Sequence, residues 1–463
     1  MNAKNKPNVV IFMLDTQKSN NMSCYGYPKK TTPNVDRLAE EGAVFLDNVS
    51  PGIWTLPSSA SLMTGLHVHS HGACGHNDTF VNEPVTIAEV LSKMGYQTVA
   101  LYANAYCEAS KKGFREICRN PPGSDSCGKN CHVYSRQRVD RAINWLEFNY
   151  FKNGPESRSP FFLFIQIMDP HMPFYPPSPY KEQFLLEGAT EEEVESCRME
   201  SVPIHAGKVW PTERQYDILR SLCDAEAATA DEHVGRLVDF MRGKAILDET
   251  IFIVTSDHGD MFGEHANDGK HACFSHHLCV YEELIRVPLV ARYPAAFPAG
   301  LRVPHSTQTL DVFPTLAEII GFDAPFCQGF SVLSAVRGAP ARAFTLTEYM
   351  KSTHAAVRIL DRVDPRMDVR LYLRNLKAFR KDGWKYIWTS DRRDELFNLR
   401  DDPKEQRNLI GQLPEKADAM RIEMEDFLVT LPTALRGDKV VTARAKPQSV
   451  ARMKALEFFQ EIL

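Results

Sequence analysis

The sequence predicts an α/β fold. A doubly wound, mostly parallel sheet flanked by helices occupies residues 1–340, a smaller C-terminal α+β subdomain 341–437, and a helical tail 438–463. Three observations carry that reading. Short apolar runs alternate with longer amphipathic segments, the pattern of strands covered by helices on both faces. Several of those runs end in Asp, or in Asp with a nearby His. From about residue 340 the alternation gives way to hairpin-like strands and one long helix.

The first run, NVVIFMLD at 8–15, reads as a buried central strand that ends in Asp15. A helix follows over Thr32–Glu41, with Thr32 or Asn34 as its start and Gly42 as its stop. In SPGIWTLPSSASLMTG (50–65), Pro57 suits a first helical position, where its missing N–H is no loss. Ala60, Leu62 and Met63 then form a short helix ending near Gly65. Thr55 falls at or just before the N-terminus of that helix, where free N–H groups and the helix dipole favour an anion. A plain N-cap is the commoner reason for a Thr there, so cap and nucleophile both stand on this segment alone.

Further along, 84–94 reads as helix and QTVALY (97–102) as strand. The pattern repeats with helix 135–150, strand FFLFIQIM (161–168), helix 214–242 and strand TIFIVT (250–255). LKAFRKDGWKYIW and DELFNLRDDPKEQRNL read as hairpin strands and a turn before a helix at 414–430. The tail is basic and then amphipathic; a packed terminal helix and a homo-oligomer contact both fit it.

Composition narrows the function classes. At 463 residues, 43% hydrophobic and 24% charged, the chain has the make-up of a globular protein. A net charge of −5 leaves no basic footprint for nucleic acid. No run approaches the roughly 18 apolar residues of a membrane span. MNAKNKPNVVIFML lacks a small-residue cleavage site and leads into Asp15, so it reads as a first strand and not as a signal peptide. Eleven Cys without regular spacing suggest reduced thiols and a cytoplasmic protein. Cys118, Cys127, Cys131 and His132 imitate a zinc site, but their spacing fits no standard ligand pattern and their segment reads as a loop.

In parallel sheets, functional residues gather at the carboxyl ends of strands. Asp15, Asp169 with His171, and Asp257 with His258 all stand there. Carboxylate oxygen and imidazole nitrogen together suit a divalent metal such as Ca, Mn, Mg or Zn. Thr55 completes a set of four ligands (Asp15, Thr55, Asp257 and His258), with its hydroxyl ionised as a metal-bound water is.

Seven stretches in order carry a resemblance over nearly the whole chain: PNVVIFMLDT, SCYGYPKKTTPNVDRLAEEGAVF, PSSASLMTGLHVHSHG, MDPHMPFYPP, SDHGDMFGEH, YEELIRVPLV and ELFNLRDDPKEQRNL. With them the chain resembles the sulfatase family of the alkaline phosphatase superfamily. The resemblance implies an alkaline phosphatase-like sheet, a four-stranded C-terminal subdomain, and one or two metals that activate a covalent nucleophile. It also implies substrate contact for His171. His276 would stand near the leaving group, with the adjacent His277 as the alternative for the same position. His67, His69 and His71 match a His-rich turn that reads as structural.

The departures from that pattern matter equally. The common family pattern is Cys or Ser, any residue, Pro, any residue, Arg, and its Cys or Ser becomes formylglycine. Here the segment is Thr55-Leu56-Pro57-Ser58-Ser59, and Thr cannot yield formylglycine. Asp15-Thr16 replaces two adjacent Asp, and Ala103-Asn104-Ala105-Tyr106 replaces a segment bearing a Lys, which leaves Asn104 either to contact the ester in place of that Lys or to stand as a solvated loop amide. A formylglycine hydrate expels sulfate by collapsing to the aldehyde, an exit that a Thr sulfate lacks. A Thr phosphate is cleared by a second in-line displacement. The expectation is therefore a hydrolase of small-molecule phosphate diesters, phosphonate esters or related esters, acting through Thr55 without formylglycine. A sulfuric ester hydrolase is the alternative, and a catalytically weakened member kept for binding is a second one.

Overall fold

The computed structural model describes residues 6–75, 80, 83–119, 129–152, 154, 158–199, 201–265, 274–276, 278–350 and 353–432. The expectations for His277, for Cys127 in the Cys118–Cys131 loop and for the 438–463 tail lie outside the described residues.

Fourteen strands are described: β1 Asn8–Leu14, β2 Ala43–Val49, β3 Gln97–Tyr102, β4 Glu116–Cys118, β5 Phe161–Ile167, β6 Thr250–Ser256, β7 Met261–Phe262, β8 Phe274–Ser275, β9 Leu289–Arg292, β10 Leu301–Gln308, β11 Thr345–Tyr349, β12 Leu376–Lys381, β13 Trp384–Thr389 and β14 Glu395–Asn398. The large sheet runs β10-β2-β9-β6-β1-β5-β3-β4. Its pairings are parallel except at β9, which lies antiparallel to both β2 and β6. β7 and β8 form a separate two-stranded pair.

The apolar runs are continuous because both faces of the sheet are covered. Val9, Ile11 and Met13 pack with Leu62 and Met63, with Ile87 and Leu91, and with Phe313 and Leu316. Val10, Phe12 and Leu14, on the opposite face, meet Val35 and Leu38, Val139 and Ala142, and Val234 and Leu237. Every residue of β1, β5 and β6 is buried, as central parallel strands require.

Helix starts follow local capping chemistry. Thr32 precedes Pro33 at the head of helix Pro33–Glu40. Thr86 and Thr212 form capping boxes with Glu89 and Gln215. The Thr86 box sets the start of the 84–94 segment at Ile87, and that helix runs only Ile87–Lys93. The helix expected at 135–150 begins earlier, at Cys131, and beyond Trp145 widens into a π-turn over Leu146–Tyr150. Among the described residues, no helix is long and apolar enough to cross a membrane.

The C-terminal sheet is antiparallel, in the order β11-β12-β13-β14. Asp382 and Gly383 join β12 to β13 at φ 53° and 81°, the left-handed pair that a two-residue hairpin turn requires. One face packs Leu346, Phe379 and Leu396 against Ala417, Met420 and Met424 of helix Pro414–Thr430. The other packs Tyr349, Ala378 and Ile387 against Val49, Ile53 and Ile285 of the large domain. β11 also grips the loop ahead of Thr55: Glu348 N–H donates to Pro51 O at 2.8 Å, and Thr347 Oγ1 to Ser50 O at 2.6 Å.

Candidate active site

Asp15 directly follows β1, and Asp257 and His258 directly follow β6, its hydrogen-bonded neighbour. Each of the three side chains has one side tied to protein and one side that is not. Asp15 Oδ2 accepts from Asn104 Nδ2 at 2.8 Å and from Gln166 Nε2 at 2.9 Å. Asp257 Oδ1 accepts the backbone N–H of Thr16 at 3.1 Å and of His258 at 2.9 Å. His258 Nδ1 lies 2.9 Å from Gly259 O, which fixes the ring proton on Nδ1 and leaves a lone pair on Nε2.

The remaining atoms, Asp15 Oδ1, Asp257 Oδ2 and His258 Nε2, are buried with no hydrogen-bond partner. All lie within 4.8 Å of one another, with His258 Nε2 3.4 Å from Asp257 Oδ2 and 3.9 Å from Asp15 Oδ1. Burial, and then the Asp257 carboxylate, push the Asp15 carboxyl well above the usual carboxylate range. Two buried carboxyl groups and an imidazole nitrogen converging in this way suit a divalent cation, whose oxygen ligands stand about 2.0–2.6 Å away. Such an ion would occupy all three orphaned atoms and offset the charge that burial penalises.

Thr55 is the first residue of helix Thr55–Thr64, preceded by Trp54 at the cap. This corrects the expectation that Pro57 opens the helix and shows that Thr55 is not its N-cap. The Thr55 Oγ1 accepts from Asn104 Nδ2 at 3.0 Å. Since the same nitrogen donates to Asp15, one amide links the hydroxyl to the candidate metal centre. Asn104, expected to face the ester, directs its amide at Thr55 and Asp15. Ser50 Oγ fixes the approach to the helix, donating to Asp257 O and lying 3.1 Å from Ser58 Oγ, from which it accepts.

A second wall of the site is built of imidazoles. The His258 and His276 rings lie 4.4 Å apart, centroid to centroid, and the His276 and His171 rings 5.2 Å apart. His276 Nδ1 is 2.8 Å from Asp260 Oδ1. Burial, with the imidazoles of His258 and His171 beside it, holds His276 well below the usual histidine range. Burial lifts the Asp260 carboxyl to about 6. His71 faces away from this wall: its Nε2 meets Ser61 Oγ at 2.9 Å, and its Nδ1 accepts from Ala73 N–H at 3.0 Å, so it braces the Thr55 helix.

The structure thus brings together Asp15, Thr55, Asn104, His171, Asp257, His258 and His276. It adds two residues that the sequence reading missed, Gln166 and Asp260. Gln166 had a signal, being the one polar residue in FFLFIQI.

Known proteins share this architecture. The Sulfatase family model matches residues 7–322, and the model for the N-sulphoglucosamine sulphohydrolase C-terminal region matches 269–432. An arylsulfatase of Clostridium perfringens is 26% identical over 90% of this chain and 93% of its own. An N-acetylglucosamine-6-O-sulfatase of Bacteroides thetaiotaomicron is 25% identical over 88% and 83%. Among solved structures, the phosphonate monoester hydrolase of Agrobacterium radiobacter has the same fold, with a TM-score of 0.70 at 20% identity over 92% of this chain and 95% of that one. Because the first model spans more than half of its length, the chain belongs to the sulfatase family.

Proposed function

We propose that this protein is a metal-dependent hydrolase of phosphate diesters, phosphonate esters or related small-molecule esters, working through a covalent intermediate on unmodified Thr55. The observation that carries this reading is the Thr55 hydroxyl, which shares the Asn104 amide with Asp15 beside three orphaned metal-ligating atoms. A divalent cation held by Asp15, Asp257 and His258, with Thr55 as a fourth ligand, would supply Lewis acidity, lowering the hydroxyl pKa and neutralising charge on the transferred group.

The chain's own residues account for the rest. Thr55 Oγ1 loses its proton and forms a bond to phosphorus as the bond to the ester oxygen breaks. That oxygen leaves as an alcohol, taking a proton. Water then displaces phosphorus from Thr55, whose oxygen regains a proton. Asn104 Nδ2 keeps donating to the Thr55 oxygen throughout. His171 contacts the transferred group, and His276, oriented by Asp260, faces the leaving oxygen.

The names of the curated relatives favour a second reading, hydrolysis of sulfate esters. A panel of aryl phosphate monoesters, diesters, phosphonates and sulfates, run with wild type and Thr55→Ala, separates the two. The proposal expects a diester or phosphonate as best substrate, and a loss of about three orders of magnitude or more in kcat for Thr55→Ala. Fastest turnover of the sulfate ester favours the second reading, and near wild-type rates in Thr55→Ala overturn the nucleophile.

A further inference from the structure

β5 runs through the middle of the sheet with a single polar side chain, Gln166, which is fully buried. Its carboxamide uses all of its hydrogen-bonding capacity. Nε2 donates to Asp15 Oδ2 at 2.9 Å and to Ile167 O at 3.1 Å, while Oε1 accepts Ala103 N–H at 2.9 Å and Asn104 N–H at 2.8 Å. The two N–H donors fix which end is oxygen, because a flipped amide would set donors against donors. Asn104 is saturated in the same way. Its Oδ1 accepts Tyr106 N–H at 3.0 Å, so its two amide hydrogens are left for Asp15 Oδ2 and Thr55 Oγ1.

We infer that Gln166 is a positioning residue for the nucleophile: one carboxamide sets the Asp15 carboxylate directly and the Thr55 hydroxyl through Asn104. The inference rests on Thr55 as the attacking group. The main-chain bonds from Ala103 and Asn104 hold the turn after β3, and the side-chain bond holds Asp15 after β1. Gln166 therefore registers the ends of two strands against each other, across the strand that separates them. A shorter or apolar side chain leaves Asp15 Oδ2 one donor short and the buried Asn104 N–H without this acceptor, while Ala103 N–H keeps the main-chain Gln166 O at 3.2 Å. The Asn104 amide then loses the backbone anchor that aims it at Thr55. No charge is introduced by this device: both links are neutral amides.

A double-mutant cycle tests it. The kcat and KM of wild type, Asn104→Ala, Gln166→Asn and the double variant are measured on the best aryl ester, with Thr55→Ala as reference. Misplacing the nucleophile by about an ångström predicts a loss of about 100-fold in kcat for Gln166→Asn, with KM little changed. If Gln166 acts on Thr55 through Asn104, the double variant loses less than the product of the two single losses, and its excess over Asn104→Ala alone reads the direct bond to Asp15. A double loss equal to the product of the single losses overturns the inference, as does a Gln166→Asn kcat within a factor of about two of wild type. Gln166→Met, of similar length but apolar, is read in the same way should Gln166→Asn fail to fold; if neither folds, Gln166 serves the sheet and the inference falls. Activity retained by Thr55→Ala marks a different failure, that of the nucleophile itself.

Discussion

Asp257 shows how one residue can serve the site while the core is held by others. Its Oδ1 binds two backbone N–H groups, and its Oδ2 stands orphaned beside Asp15 and His258. Asp257→Ala removes one of three converging ligands and relieves the repulsion between two buried carboxylates, at the cost of two unsatisfied N–H groups. Those costs run about 1–3 kcal/mol each and oppose the relief, so the variant folds with a modestly altered Tm. If these three residues hold a divalent cation, wild type should gain thermal stability when that cation is added, as any ligand of the native state provides. Asp257→Ala should show neither that gain nor turnover. An unchanged metal-dependent shift in the variant would show that the ligands have been misassigned.

Among the elements, helix Thr55–Thr64 governs the placement of Thr55, the proposed nucleophile. All ten of its residues are buried, and it ends at Gly65 with φ 67°. A Cβ built there would lie 2.7 Å from Cys327 Sγ, so both conformation and space demand glycine. Gly65→Ala should therefore cost about 2 kcal/mol or more, seen as a lower urea midpoint at unchanged slope. A midpoint equal to wild type would contradict the tight closure of this helix. The same elements show what was legible in the sequence. β1, β3, β5 and β6 could be read because unbroken apolar runs suit strands buried on both faces, and the helix at 414–430 because its length and boundaries are clear. β2 was hidden by Asp47 and Asn48, polar residues that look solvent-facing but pair inside the fold, Asp47 with Arg380 at 2.8 Å and Asn48 Oδ1 with Thr307 Oγ1 at 3.1 Å. β9 is only four residues long and antiparallel, below what periodicity resolves. In the site, Asp15, Asp257 and His258 could be read from their strand-end positions. The direction of the Asn104 amide could not, since it depends on Gln166, which is distant in sequence and belongs to no motif.

At the scale of the whole molecule, the large sheet supplies the proposed metal ligands, and the small sheet clamps the loop that leads to Thr55. The seam between these parts holds a buried histidine. His67 packs its ring 5.4 Å from that of Phe427, on the C-terminal helix, and burial lowers its pKa to about 3 and that of His71 to about 4. Both values lie below the ordinary 6.5, so in that window the unfolded chain binds more protons than the folded one. Their contribution is complete above pH 6.5 and is lost as pH falls towards the folded values, at up to about 1.4 kcal/mol per pH unit for each ring. The contribution is read by difference: the gap in urea midpoint between wild type and His67→Phe should shift against wild type as pH falls below 6.5, and a gap that does not change with pH would contradict the buried neutral ring. The central claim, that unmodified Thr55 attacks phosphorus, is tested most directly by mass spectrometry of the peptide spanning residues 50–65, before and after quenching with a slowly hydrolysed phosphoester. The account predicts the unmodified Thr mass beforehand and a phosphoryl-sized addition on Thr55 afterwards, absent from Thr55→Ala. Turnover of that ester with no adduct at any quench time, or with the adduct on another residue, would contradict it.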